Sequence, residues 1–405
     1  MNEKNEQVDD EKIAKKNITA LGWVAFWGGL SQDMIVPILP IFYTQILGMT
    51  KETVGLIEGC LTTVVSVCKI LSGMISDKVG KRKPIVFLGY LFSAIGRLLL
   101  AFSSQVGAVF GVRMLDGIGK GTKDAPRDAL IAKSASMKNM GYAFGYQRML
   151  DTLGSFVGPL VTTGLLVLFA QYGEVQKYRM VFLLAGIVAF ITIVLIALLV
   201  KERSETKAAG KFVLDFSVLK GKFLWFFIIM LVFTLGNSSD AFLILRAQDV
   251  GVAPVLIPVI IAVFNLLYAL LAIPCGVLSD RIGRIRVIQL GWLVYAASYL
   301  GFAVAQSAWH IWILYAVYGI YYAMTEGVAK ALVAQLVDES HRGAAFGLYN
   351  ASLGLMALPA SALAGVLWDK VSPSAPFYFG AGLALAAAGL LFLVNFKNTA
   401  ESKAL

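Results

Sequence analysis

The sequence predicts an all-α membrane protein of twelve transmembrane helices in two pseudo-symmetric six-helix bundles. Three observations carry that prediction. The 405-residue chain is 58% hydrophobic and only 15% charged, with mean hydropathy +0.75, whereas a soluble domain carries about 25% charged residues. Apolar runs of roughly twenty residues, long enough for a helix to cross the hydrocarbon core, recur from end to end. The two halves also repeat each other. GMISDKVGKRKPIVFLGY at 73–90 returns as GVLSDRIGRIRVIQLGW at 276–292, and DALIAKSASMKNMGYAFGY at 128–146 returns as KALVAQLVDESHRGAAFGL at 330–348. Both matches stand at nearly the same offset, which excludes a chance resemblance between two loops.

Taken in order, residues 1–17 (MNEKNEQVDDEKIAKKN) are polar and of mixed charge, with no apolar core or cleavage site. They are expected as a solvated tail and not as a signal peptide. Spans are expected at 18–47, 52–77, 84–103, 107–133, 139–170 and 178–200, forming a first bundle over 18–200. The polar stretch 201–221 is the expected linker. A second bundle over 222–397 holds spans at 222–248, 254–279, 285–306, 309–337, 342–368 and 375–397, and 398–405 is a second tail. The net charge of +10 is explained by topology and not by nucleic acid. The Lys and Arg of the connections crowd onto one side, leaving only Lys51, Lys177, Arg179 and Lys370 on the other, so both termini are expected in the cytoplasm.

The ionisable residues inside spans carry the functional reading, because a charge facing lipid is expensive and such groups face protein or a water-filled path. Span 1 holds Asp33 beside Trp27, Ser31 and Gln32, with Pro37 and Pro40 placed to kink the helix. Span 2 aligns Glu58, Thr62, Ser66 and Lys69 on one face, and Arg97 in span 3 reads as a snorkelling or paired residue. Span 4 is the most charged, with seven charges in the sixteen residues RMLDGIGKGTKDAPRD. Its Arg113, Asp116, Lys120, Lys123, Asp124, Arg127 and Asp128 fall within an arc of roughly 140° on a helix. Its Gly117, Gly119 and Gly121 suit close helix packing. Span 5 aligns Arg148, Asp151, Thr152, Ser155 and Thr162. In the second half, span 7 reads Asn237, Ser238, Ser239, Asp240 and then Arg246, and its NSSDA stands where span 1 has LSQDM. Span 8 offers Asn265 and Tyr268. Span 10 sets Tyr318, Tyr322, Glu326 and Lys330 at successive i, i+4 positions on one face, and span 11 adds Asn350.

No catalytic or metal-ligating constellation emerges. His310 and His341 sit at span ends, no G-x-x-x-x-G-K-[ST] loop supports ATP-driven pumping, and Cys60, Cys68 and Cys275 lie in apolar helices as expected free thiols. The chain is not expected to be an enzyme or to need a cofactor; a proton or other ion gradient is the expected energy source. A duplicated six-span unit is a transporter architecture, with its site near the midplane.

At the repeated loops the chain resembles the major facilitator superfamily. Gly73, Asp77, Gly80, Lys81 and Arg82 stand at the marked positions of that family's signature between spans 2 and 3, and Gly276, Asp280, Arg281, Gly283 and Arg284 repeat it. Arg113, Asp116, Gly117 and Gly119 resemble the R-x-x-(Q/D)-G-x-G pattern of span 4, whose arginine the family links to proton coupling. Gly154, Gly158 and Pro159 resemble a span 5 packing signature associated with antiporters, except that Thr162 takes the place of the last glycine. The segments GKGTKDAPRDALIA and NSSDAFLILRAQ resemble a bacterial branch with mostly unassigned substrates. The resemblance implies the major facilitator fold, with spans 1, 4, 7 and 10 around a cavity.

The expected function is therefore secondary active transport by alternating access, as proton-coupled efflux of a small polar or charged organic molecule. The alternative is proton-coupled import of an anionic metabolite, and a more distant one is a non-transporting membrane sensor. Asp33, Arg113, Asp116, Asp240 and Glu326 are the proton-coupling candidates. The cavity candidates are Trp27, Gln32, Glu58, Lys120, Lys123, Arg148, Asp151, Asn237, Arg246, Asn265, Tyr318, Tyr322, Lys330 and Asn350. Asp124, Arg127 and Asp128, near the cytoplasmic mouth, are expected to act with Asp77 and the two loop signatures as a gate. The expected partners are the lipid bilayer and a small-molecule substrate, and the expected state is a monomer in a bacterial cytoplasmic membrane.

Overall fold

A computed structural model describes residues 2–135, 139–202, 216–338 and 341–394. Met1, residues 203–215 of the expected linker and the expected tail 398–405 lie outside the described residues. The described chain is helical, with no strand, and forms twelve crossings. In the first half these are α1 (Ile13–Ile46), α2 (Lys51–Val79), α3 (Lys83–Leu100), α4 (Val106–Ser134), α5 (Met140–Leu168) and α6 (Glu174–Leu199). In the second they are α7 (Gly221–Asp249), α8 (Ile257–Ile282), α9 (Arg284–Val304), α10 (Ala308–Leu336), α11 (Arg342–Lys370) and α12 (Ala375–Leu393). Among the described residues, ten helices are long and apolar enough to cross a membrane by length and composition. The two others, α4 and α10, are diluted by the charged face of α4 and by the tyrosines, Glu326 and Lys330 of α10.

Two compact units are present, Met1–Gly48 with Val64–Lys211, and Met49–Thr63 with Phe212–Leu405. The first half of α2 thus groups with the second unit, apart from the rest of the expected first bundle. There Gly59 lies against the backbone of Leu358 in α11, and the Thr63 hydroxyl donates to the Gly354 carbonyl at 2.8 Å. Within the first unit α1 packs on α5 and α6, and α3 packs on α4 and α6. Within the second, α7 packs on α11 and α12, and α9 packs on α10 and α12. The same partners recur six helices later, so the duplication read in the loops extends to the packing.

Small residues set the closest approach. A Cβ on Gly158 would lie 2.6 Å from the Leu30 carbonyl oxygen, and one on Gly154 would overlap the Phe26 carbonyl. These glycines let α5 lie directly on the α1 segment that ends at Asp33. Gly154→Val is expected to cost roughly 1–3 kcal/mol through overpacking, read as a lower thermal unfolding midpoint in detergent. Gly119 fits against Ser93 and Gly89 of α3, as the helix-packing reading of the α4 glycines expects.

The chain start differs from expectation. Regular helix begins at Asn2, and Asn17, expected in a solvated tail, is fully buried. Its amide nitrogen donates to the Ser134 hydroxyl (3.3 Å) and the Lys201 carbonyl (3.0 Å), and its oxygen accepts the Lys201 N–H at 2.8 Å. The residue is polar because it ties α1 to the ends of α4 and α6. Nearby, the Glu202 carboxylate accepts the backbone N–H groups of Arg82 (3.2 Å) and Lys83 (2.8 Å) at the start of α3. An anion at a helix N-terminus satisfies orphan donors and complements the helix dipole. Glu202→Ala is expected to cost about 1 kcal/mol and to speed hydrogen exchange at the Arg82 and Lys83 amides.

Candidate functional site: two carboxylates at broken helices

Two crossings are interrupted, and each interruption adjoins a carboxylate. Helix α1 is regular to Asp33, then turns at Met34–Ile35 and continues as a 3₁₀ turn over Val36–Ile38. Pro37 cannot donate to the helix ladder, so the break follows from the sequence. It frees the Met34 carbonyl, which accepts the Thr162 hydroxyl at 2.7 Å. The residue that departs from the span 5 glycine pattern therefore holds the α1 break in place. Helix α7 breaks without a proline, between Gly221–Gly236 and Ala241–Asp249, with Asp240 at the second segment's start. The Ser361 hydroxyl accepts the Ser239 N–H there at 3.1 Å. Interrupted helices place backbone dipoles and polar side chains at membrane depth, where transporters bind their cargo.

In the first unit Asp116 is the hub. Its carboxylate is 3.1 Å from Lys120 Nζ, 3.2 Å from Arg113 Nη1 and 3.5 Å from Arg97 Nε. Asp116, Arg113 and Arg97 are each no more than 5% exposed. Arg97 also donates to the Ser31 hydroxyl (2.9 Å) and the Gly28 carbonyl (3.3 Å) of α1. Of the two readings of Arg97, snorkelling or paired, the structure shows the paired one, with the side chain buried. Beside the cluster is a small cavity lined by Gln32, Ile35, Val36, Gly96, Arg97, Leu100, Val112, Arg113, Asp116 and Lys120. The Asp33 carboxyl is hydrogen-bonded by Ser155 and lies within electrostatic reach of Lys120, Arg97 and Asp151.

In the second unit Asp240 retains solvent-accessible surface and accepts hydrogen bonds from Tyr318 (2.8 Å) and Tyr322 (3.1 Å). No Lys or Arg stands beside it among the described residues. The phenols are held by a stack that sequence reasoning missed. Tyr295 and Tyr299 of α9 stack at 4.0 Å, and Tyr318 packs against both, Phe264 and Tyr321. The i, i+4 spacing of Tyr295 and Tyr299 was the available signal. Asn237 donates to the Tyr321 hydroxyl at 3.4 Å. One turn along α10, Glu326 accepts from Tyr268 at 2.6 Å and pairs with Lys330 at 3.1 Å.

Other candidates separate from these two groups. Arg246, expected in the cavity, is buried on the carbonyls of Phe302 (2.9 Å), Ala303 (3.2 Å) and Ala305 (2.9 Å), with Asp249 as its ion-pair partner. It caps the end of α9, where a cation satisfies the last carbonyls, and that removes it from the cavity set. Asn350 donates to the Phe346 carbonyl of its own helix at 2.8 Å. Lys123 lies 4.6 Å from the centre of the Tyr90 ring and 3.4 Å from Asp124. Arg148 and Asp151 form a long 3.8 Å pair, Trp27 meets Phe26 edge-on, and Glu58 and Asn265 are half-buried. At the loop signatures, Gly80 and Gly283 take the positive φ that their tight turns require (68° and 97°). Asp77 pairs with Arg82 and Asp280 with Arg284, both at 3.4 Å, while Arg127 holds Asp124 (3.5 Å) and Asp128 (3.0 Å). Arg284 also reaches the Ala331 carbonyl at 3.0 Å, tying its loop to α10. A Cβ on Gly73 would lie 3.5 Å from that of Ala125 in α4, Gly276 borders open space, and Lys81 and Arg281 are exposed.

The sequence profile of the Major Facilitator Superfamily matches residues 21–246 and 225–404. The chain belongs to the Major Facilitator Superfamily. It is an integral, multi-pass secondary transporter of small-molecule substrates and not an enzyme. It is 38% identical over 398 residues to the uncharacterized MFS-type transporter MJ1317 of Methanocaldococcus jannaschii, covering 96% of this chain and 97% of that one. It is 24% identical to multidrug resistance protein 2 of Bacillus subtilis over 93% of this chain and 94% of the relative. The crystal structure of the nucleoside transporter NupG (D323A mutant) shares its fold with a TM-score of 0.79. That match is 14% identical and covers 93% of this chain and 99% of NupG.

Proposed function

We propose that this superfamily member is a proton-coupled antiporter that exports a small polar or charged organic molecule by alternating access. It acts as a monomer in a bacterial cytoplasmic membrane, with both termini in the cytoplasm. One observation carries the reading: Asp240 is an accessible carboxylate at a helix break whose contacts are two phenols and no cation. A carboxylate in a membrane-embedded unit without a basic partner is stabilised by taking up a proton, and an occluding change alters that preference. Asp33, at the matching position of the first half, is the second proton carrier; Arg113, Asp116 and Glu326 set the field around the two. The efflux direction is supported by the Gly154–Gly158 packing and by the printed name of the Bacillus subtilis relative. The many ionised groups of α4 and α10 argue against a purely lipophilic cargo.

Counterflow in proteoliposomes against a metabolite panel identifies the cargo. In everted vesicles an acid lumen then drives accumulation by antiport. Accumulation only when the exterior is acid establishes the opposite, symport mode and ends the efflux reading.

A further inference from the structure

Among the described residues of the second unit, the partners of Asp240 are the Tyr318 and Tyr322 hydroxyls, and no cation lies within electrostatic reach. Of the other charged groups within the spans of this unit, Arg246 is paired with Asp249 and Lys330 with Glu326, and Glu58 adds a further acid. Those of α8, α9 and α11 stand at helix ends, and α12 has none. The wall beside Asp240 is aromatic. Phe264 meets the Tyr322 ring at 5.3 Å and 86°, and Tyr268 meets it at 5.9 Å and 70°. Phe264, Tyr268 and Tyr322 are half-buried and Asp240 is exposed, whereas Tyr295, Tyr299, Tyr318 and Tyr321 behind them are buried. Rings set nearly at right angles present faces in more than one direction, as an aromatic cage does. A phenol that donates to a carboxylate is polarised toward phenolate, which makes its ring face more negative.

We infer that this corner of the second unit binds an organic monocation, a protonated amine or a quaternary ammonium. Asp240 is its counter-ion, and Tyr322, Phe264 and Tyr268 are its aromatic wall. A neutral polar cargo would leave the carboxylate's charge unmatched, and an anion would be repelled by it. The inference rests on the transporter reading only for the ammonium group being cargo. A proton and an ammonium group neutralise the same carboxylate, so each displaces the other, and the coupling is equal in both directions.

The test compares choline with the uncharged isostere dimethylbutanol, in which carbon replaces the nitrogen. Each is titrated into the purified full-length chain in detergent at constant ionic strength, and thermal unfolding is followed. Choline is expected to raise the unfolding midpoint saturably by a few degrees, and the isostere to leave it unchanged. The apparent affinity for choline is expected to fall roughly tenfold per pH unit once Asp240 is protonated, and binding there releases protons into a weak buffer. Asp240→Asn keeps the rings and is expected to weaken choline roughly ten- to a hundredfold and to abolish this pH dependence. Counterflow of an ammonium cargo by that variant continues at raised concentration. Tyr322→Phe is expected to hold the affinity within about twofold, and Tyr322→Leu to lose roughly three- to thirtyfold with the cation–π contact. Equal curves for choline and dimethylbutanol with the unsubstituted protein overturn the inference, and need no variant to fold. A neutral or anionic cargo exchanged for protons also overturns it, while leaving the antiport reading intact. Choline binding without proton-driven accumulation of any cargo sinks the antiport reading and leaves the site standing.

Discussion

Asp240→Asn is expected to remove one proton from the transport cycle while leaving the pathway open. An asparagine keeps one acceptor oxygen for the Tyr318 hydroxyl and can donate from its amide nitrogen to the Tyr322 oxygen, so the aromatic stack that holds the site keeps both contacts. What the variant loses is the titration. Each proton exchanged under a gradient of one pH unit supports a roughly tenfold accumulation ratio, because one unit is worth 1.36 kcal/mol. In everted vesicles, the slope of the logarithmic accumulation ratio against the pH difference is therefore expected to fall by about one. Counterflow, which requires no net proton movement, continues. Asp33→Asn is the matched variant in the other half. If both substitutions leave the slope unchanged, neither carboxylate carries the coupling proton.

The elements were legible in the sequence because hydrocarbon imposes a length on every crossing and the duplication supplied a second copy of each landmark. Gly80 and Gly283 could be read as turn residues from one sequence, and both adopt positive φ. Side-chain destinations were less legible wherever the partner lies on another helix. Arg97 is a lone cation on an apolar helix, and nothing within its own span reveals that Asp116 and Ser31 await it. Arg246 differs in the opposite direction, since a cation in the same span as Asp240 suggested a cavity residue while its guanidinium turns to the end of α9. The break in α1 was announced by Pro37. The break in α7 was not, because Asn237, Ser238 and Ser239 interrupt a helix through hydrogen bonds whose partners the sequence does not identify. Local chemistry thus reached the helix axis, and tertiary pairing decided which charges share a site.

That distinction has an energetic consequence in the charged face of α4. Asp116→Ala is expected to destabilise the chain by about 3–5 kcal/mol, the range for removing one partner of a buried ionic group, because three cations are then left without the acid that joins them. Arg148→Ala, at a pair separated by 3.8 Å and with the arginine side chain 55% exposed, is expected to cost no more than about 1 kcal/mol. Both are charge deletions at i, i+3 pairs, and sequence spacing does not tell them apart. The contrast tests burial directly. Combining Asp116→Ala with Arg113→Gln should recover part of the loss, since the second change removes an orphaned charge, giving a coupling of about 1–3 kcal/mol in a double-mutant cycle. Unfolding in detergent monitored by tryptophan fluorescence compares the unsubstituted protein with Asp116→Ala, Arg113→Gln, their combination and Arg148→Ala. Equal costs for Asp116→Ala and Arg148→Ala, or strict additivity in the cycle, would show that the Asp116 cluster is solvated and that its cations need no internal partner.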